Sequence, residues 1–171
     1  QKKNDKIKIG FLSSHINKSH SVTFFFKTIC ASYNKKDFEL YLFLNNKIED
    51  ESVEHFKKQI DGTFNISNFN DTEAINFIRN KNIDIAFDLM GLTSSNRLTL
   101  FKNRVSPIQI SWIGYCNTIG IKNMDYLIAD PNLIYKNEID QYSEKVLFLP
   151  NIWNCHSGFE FPRQEYHAPV L

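Results

Sequence analysis

The sequence predicts an α/β fold, built on a doubly wound, mostly parallel sheet with helices on both faces. Three observations carry this expectation. Apolar runs of strand length alternate along the chain with stretches whose apolar residues recur at helical spacing, the order of successive strand–helix–strand units. One run, IDIAFDLM from Ile83 to Met90, is apolar almost without a break, as strands covered on both faces are. The 171 residues, 42% hydrophobic and 23% charged, suffice for one globular domain with a real core.

Taken in order, Ile7, Ile9, Phe11 and Leu12 form a first strand, which Ser13-Ser14 ends in a polar loop running to His20. Ser21 is the expected cap of a helix from Val22 to Tyr33, its buried stripe drawn from Val22, Phe25, Phe26, Ile29 and Cys30. Phe38 to Leu44 is the second strand. After a turn from Asn45 to Asp50, Val53, Phe56 and Ile60 mark an amphipathic helix over 52–60, with charges on its other face. Gly62 punctuates it, and Phe64 and Ile66 give a brief strand. Asp71 or Thr72 is expected to cap a helix containing Ala74, Ile75, Ile78 and Arg79, before the apolar run at 83–90. Gly91 to Ser95 is a loop, and Asn96 to Arg104 is a short helix. The stretch PIQISWIGYCNTIGIKNMDYLIAD, from Pro107 to Asp130, reads as strand, glycine-bearing loop and strand. Glu138 to Tyr142 is helical, Val146 to Leu149 is a last strand, and the Pro-containing tail 151–171 reads as a connector.

In such a sheet, ligands bind beyond the carboxyl ends of the strands, near the point where strand order reverses. The loops at 13–20, 91–95, 114–120 and 130–131 should therefore share one rim. His20 is the most useful titratable group on it, placed just before a helix whose free N–H groups suit negative charge. Its plainer reading is a helix-cap histidine. Gly114 and Gly120, with Asn117 and Thr118 between them, suit either a turn that needs glycine or a backbone approached by a ligand. No G-x-G-x-x-G or G-K-[ST] follows the first strand, which argues against a dinucleotide or P-loop enzyme. Asp84 and Asp88 fall inside a strand pattern and form no catalytic pair. His15, His20, His55, His156 and His167 share no metal-ligand spacing.

The formal net charge of +1, with Lys and Arg scattered, supports neither a nucleic-acid footprint nor a membrane-binding basic arm. Three widely separated cysteines, Cys30, Cys116 and Cys155, suggest no disulfide framework, so a cytoplasmic setting is expected. No apolar run has the length to span a bilayer, and the first residues are too polar for a signal peptide. The opening without methionine and the close at Ala168-Pro169-Val170-Leu171 suggest a piece of a longer protein.

An ordered set of motifs resembles the O-linked N-acetylglucosamine transferases and their SPINDLY-like relatives, glycosyltransferases of family 41. The pieces are KIKIGFLSS followed by His20-Ser21-Val22, DLMGLTSSNR from Asp88 to Arg97, and SPIQISWIGY from Ser106 to Tyr115. After them come Thr118-x-Gly120, Met124-Asp125-Tyr126 with Asp130, and Tyr142-Ser143-Glu144-Lys145 with Leu149-Pro150. Each is weak alone, and their order and spacing together are specific. The resemblance implies that residues 1–150 form the first, Rossmann-like lobe of a GT-B glycosyltransferase and that 151–171 lead toward a second lobe. It implies inverting, metal-independent transfer of a sugar, with N-acetylglucosamine expected, from a nucleotide sugar to Ser or Thr hydroxyls of an acceptor protein. No cofactor is implied beyond a donor such as UDP-N-acetylglucosamine. The second lobe would hold most of the nucleotide, upstream tetratricopeptide repeats would bind the acceptor, and the lobe alone would be inactive.

By position, His20 matches the family's first-lobe histidine, which faces the sugar and has been proposed as a base. Ile113 and Gly114 match the backbone bordering the sugar pocket, and Tyr115, Thr118 and Gly120 match the loop beside it. The chain departs from the family at Cys116-Asn117, where relatives often carry Pro-Gly, and at Leu92, where many bacterial relatives carry histidine. The loop from Ser14 to His20 is also one residue longer than usual. The alternative is a non-catalytic α/β domain of a regulatory protein whose rim binds a ligand or partner.

Overall fold

The structure, a computed structural model, describes residues 6–156. Its seven strands are β1 (Ile7–Ser13), β2 (Phe38–Leu44), β3 (Gly62–Asn65), β4 (Ile85–Asp88), β5 (Ile108–Ser111), β6 (Tyr126–Ala129) and β7 (Lys145–Phe148). They form one sheet in the order β3-β2-β1-β4-β5-β6-β7, with every pairing parallel. The doubly wound sheet is thus parallel throughout. The chain winds outward from β1 through β2 to β3, then crosses back to lay β4 against the other side of β1. That reversal makes the gap beyond β1 and β4 the switch point. Because all strands run one way, every loop after a strand lies on the same edge.

The helices are α1 (Ser21–Ser32), α2 (Glu51–Lys57), α3 (Asp71–Asn80) and α4 (Leu98–Lys102), with a 3-10 turn over Lys136–Gln141. Side-chain alternation along the strands sends neighbours to opposite faces, and a core forms on each, with a smaller cluster of Leu127, Ala129 and Ile134 at β6. Leu40, Leu42 and Leu44 of β2 and Phe11 of β1 pack with Phe26 of α1 and Phe56 of α2 on one face. Phe43 and Leu12 pack with Ile75 and Ile78 of α3 and Leu100 and Phe101 of α4 on the other. Phe26, Phe43, Phe56 and Phe101 are each fully buried, the class of side chain whose truncation to Ala costs about 3–5 kcal/mol.

Several boundaries differ from the sequence expectation, each for a local reason. His20, not Ser21, caps α1, its Nδ1 accepting the Val22 N–H at 3.2 Å. Asn70, not Asp71 or Thr72, caps α3 in a reciprocal capping box with Glu73. Asp50 caps α2, which starts at Glu51 and stops at Lys57. The helix expected over 96–104 is only the single turn α4, since Asn103 and Arg104 leave helical geometry, Arg104 with φ 52°. The connector expected over 151–171 lies partly outside the described residues. Its first part packs back on the domain: the Trp153 N–H donates to Asp130 Oδ2 at 2.7 Å, and Trp112 Nε1 donates to the Trp153 carbonyl at 2.6 Å. No helix among the described residues is long and apolar enough to cross a membrane.

Candidate functional site on the carboxyl rim of the sheet

The loop after β1 is tied to its neighbours by side-chain bonds. Ser14 Oγ donates to the Ser95 carbonyl at 2.7 Å, and Asn45 Nδ2, just past β2, donates to Ser14 Oγ at 3.0 Å. Thr23 of α1 clamps the loop from below, its hydroxyl donating to the Asn17 carbonyl and accepting the Asn17 N–H. A cleft of about 440 Å³ opens beside it, lined by Ser14, Asn17, Asn45, Asn46, Lys47 and Ser95 among others.

Within this loop the rings of His15 and His20 stack, with centroids 4.4 Å apart and planes 17° from parallel. His15 Nε2 lies 3.2 Å from the Ser94 carbonyl, which can only accept, so Nε2 carries the proton. At His20 the assignment follows from the helix cap: Nδ1 accepts a backbone N–H, so the proton of the neutral ring sits on Nε2. Burial, and secondarily the charge His15 can carry, hold the His20 pKa below its ordinary value of 6.5. His20 is therefore neutral at pH 7, half-buried, with an Nε2–H bonded to no described residue. In this state the ring is a hydrogen-bond donor. Taking up a proton at Nδ1 would break the cap.

Across the switch point, β4 ends in Asp88, whose buried carboxylate accepts the Gly91 N–H at 2.8 Å and the Met90 N–H at 3.2 Å. Burial pushes its pKa up to about 6 against these two bonds. The turn they fix is pressed against the loop after β5. Gly114 meets it so closely that a Cβ there would lie 1.8 Å from the Leu89 carbonyl oxygen. Gly91, with φ 57°, has Tyr115 against it in the same way, a Cβ falling 2.1 Å from Tyr115 Cβ. Between them Ile113, β-branched and buried, is held at φ 73°, a conformation that persists only where its surroundings enforce it.

Further along, Thr118 Oγ1 donates to Glu144 Oε2 at 2.7 Å, and the Ile119 N–H donates to Glu144 Oε1 at 2.8 Å. Ser143 adds its own bond to the same carboxylate at 3.0 Å, and Glu144 is buried just before β7. Gly120 has φ 70° and open space on its side-chain face.

The sequence-derived residues thus fall into two groups. His20 presents a free donor on the rim beside the switch point. Ile113, Gly114 and Tyr115 form a backbone ridge against residues 89–91, and Thr118 is bonded inward while Gly120 stands open. From sequence Asp88 reads as a strand residue, and nothing marks Glu144 as a buried anchor. For Asp88 the available signal was its place at the end of an apolar run with glycine three residues on. No group of three or more His, Cys, Asp or Glu among the described residues is placed to hold a metal ion.

The sequence that builds this rim matches the model of glycosyl transferase family 41 over residues 1–158. The chain belongs to glycosyl transferase family 41. Within the family it is 27% identical over 167 residues to a protein of Solanum lycopersicum named "Probable UDP-N-acetylglucosamine--peptide N-acetylglucosaminyltransferase SPINDLY", covering 95% of this chain and 18% of that one. The Arabidopsis thaliana protein named for SEC, another probable transferase of the same title, is 24% identical over 149 residues, covering 86% and 15%. Among solved structures, a mutant of Thermobaculum terrenum O-GlcNAc transferase superposes with a TM-score of 0.84 at 25% identity, covering 88% of this chain and 29% of that one. The family 41 chain described here therefore spans less than a fifth of the length of these curated relatives.

Proposed function

We propose that this chain is the first, acceptor-side lobe of a cytoplasmic protein O-glycosyltransferase. The enzyme moves a sugar, N-acetylglucosamine by resemblance to its relatives, from a nucleotide sugar such as UDP-N-acetylglucosamine to a Ser or Thr hydroxyl. The observation that carries the reading is the neutral His20 donor at the switch point, on the face where a doubly wound sheet binds its ligand. Family membership and the ordered motifs support it.

The reaction we infer is a single inverting displacement without a metal ion. The acceptor oxygen forms a bond to the anomeric carbon as the bond to the diphosphate breaks on the opposite face. The hydroxyl proton passes to a base, and the diphosphate leaves into donors supplied by a second lobe. Residues 113–115 would border the sugar as a fixed backbone wall, and His20 Nε2–H would bond an oxygen of the donor. Upstream tetratricopeptide repeats would bring the acceptor protein, and this lobe alone would not turn over.

The test is transfer by the full-length protein from radiolabelled UDP- and GDP-sugars to proteins of a lysate. Label that is released by β-elimination and unaffected by EDTA is the expected result. No transfer from any nucleotide sugar would overturn the reading and leave a binding domain without chemistry, an alternative to which the half-exposed Leu92 at the rim lends some support.

A further inference from the structure

His15 takes no part in the proposed chemistry, yet its surroundings are unusually constraining. Its Nε2–H is anchored on the Ser94 carbonyl of the loop after β4, its ring lies flat on His20, and its Nδ1 is buried with no hydrogen-bond partner. A second proton on His20 would face the Val22 N–H, donor against donor. Two imidazolium rings at 4.4 Å would also repel. The bonds of the pair fix the same neutral tautomer, proton on Nε2, in both rings.

We propose that His15 is a positioning residue of this site, which stacks on His20 and, anchored by Ser94, holds it as a neutral Nε2–H donor toward an oxygen of the nucleotide sugar. The inference rests on the glycosyltransferase reading for the identity of the ligand, and on geometry alone for the state of the pair. The lowered His20 pKa, with His15 as its second cause, agrees with it. Four charged groups on the adjoining elements are engaged elsewhere. Lys18 of the same loop pairs with Glu51 of α2, and Asp50 accepts the Lys18 and Ser52 N–H groups. Asp88 of β4 is bonded to its own turn, and Arg97 before α4 pairs with Asp71 of α3.

The experiment is long-range ¹H–¹⁵N NMR on the full-length protein with ¹⁵N-labelled histidine, in wild type, His15→Ala and His15→Gln, titrated without ligand and then with UDP-N-acetylglucosamine. The wild type is expected to show both rings with the proton on Nε2 and His20 titrating below 6.5. His15→Ala is expected to move the His20 titration upward, with the acid limb of the transfer rate moving alongside it. His15→Gln, which can keep a donor to Ser94 without the ring, should shift His20 in the same direction and serves if the Ala variant fails to fold. A wild-type His20 with its proton on Nδ1, or a His20 titration unmoved in a folded variant, would overturn the proposal. Those readouts need no substrate. If they come out as expected while no nucleotide sugar perturbs His20, the positioning stands and the glycosyltransferase reading is what fails.

Discussion

The two sides of the rim use their polar groups in opposite ways. On the β1 side, the loop from Ser14 to His20 is held by side-chain bonds from Ser14, Thr23 and Asn45, and the His20 Nε2–H is bonded to no described residue. On the β5 side, four of the residues between 113 and 120 are committed inward: Gly114 to the Leu89 carbonyl, Thr118 and Ile119 to Glu144, and Ile113 to the core at a strained φ. Both stretches resemble the same family site. One leaves a donor without a partner among the described residues, and the other satisfies its own groups within the protein. Short polar residues and glycines in a loop therefore do not announce binding by themselves. What separates the two sides is where each donor and acceptor is already satisfied.

If the β5 side is a wall, its glycine should be the most costly residue to alter. Gly114→Ala puts a methyl 1.8 Å from a backbone oxygen that cannot swing aside, and the destabilisation should be on the order of 3–5 kcal/mol, read by denaturant unfolding. Next, Glu144→Ala strands the Thr118 hydroxyl and the Ile119 N–H, and about 2–3 kcal/mol should be lost. Gly120→Ala sharpens the contrast with Gly114: the space is open, and only φ 70° resists a side chain, so about 1–2 kcal/mol is expected. On the other side, His20→Ala removes the α1 cap and should cost only about 1 kcal/mol of stability while abolishing most sugar transfer.

A pH dependence comes from Asp88, at the end of β4. Its folded pKa of about 6 lies above the ordinary 3.8, so the folded state binds the proton more tightly than the unfolded chain. Its contribution to stability is then fully present below about pH 4 and is lost as pH rises through about 6. Melting temperatures of wild type and Asp88→Asn across pH 4–7 should show a slope of this sign in the wild type that the variant lacks.

Much of the fold could be read from the chain because apolar periodicity is local. The runs at Phe38–Leu44 and Ile83–Met90 each bury side chains on both faces, and pattern alone locates such strands. The rim's convergence also followed, since a parallel sheet puts all its outgoing loops on one edge. What escaped was decided by contacts distant in sequence. Nothing near Glu144 indicates that its carboxylate is the acceptor for Thr118, 26 residues earlier. Nothing near Gly114 says that its missing side chain makes room for Leu89 rather than for a ligand. His20 was legible as a rim histidine, but its role as the α1 cap depends on side-chain direction, and that same bond decides its tautomer.

The most direct test sets the two sides against each other in one assay. Sugar transfer from UDP-N-acetylglucosamine by the full-length protein would be compared for His20→Ala and Thr118→Val, with the melting temperature of each recorded. We expect His20→Ala to lose at least tenfold in kcat/KM with a small drop in melting temperature. We expect Thr118→Val, which removes the bond to Glu144, to show the larger drop in melting temperature and to transfer at close to the wild-type rate while folded. A His20→Ala protein with undiminished transfer, or a well-folded Thr118→Val protein without it, would contradict this division of the rim.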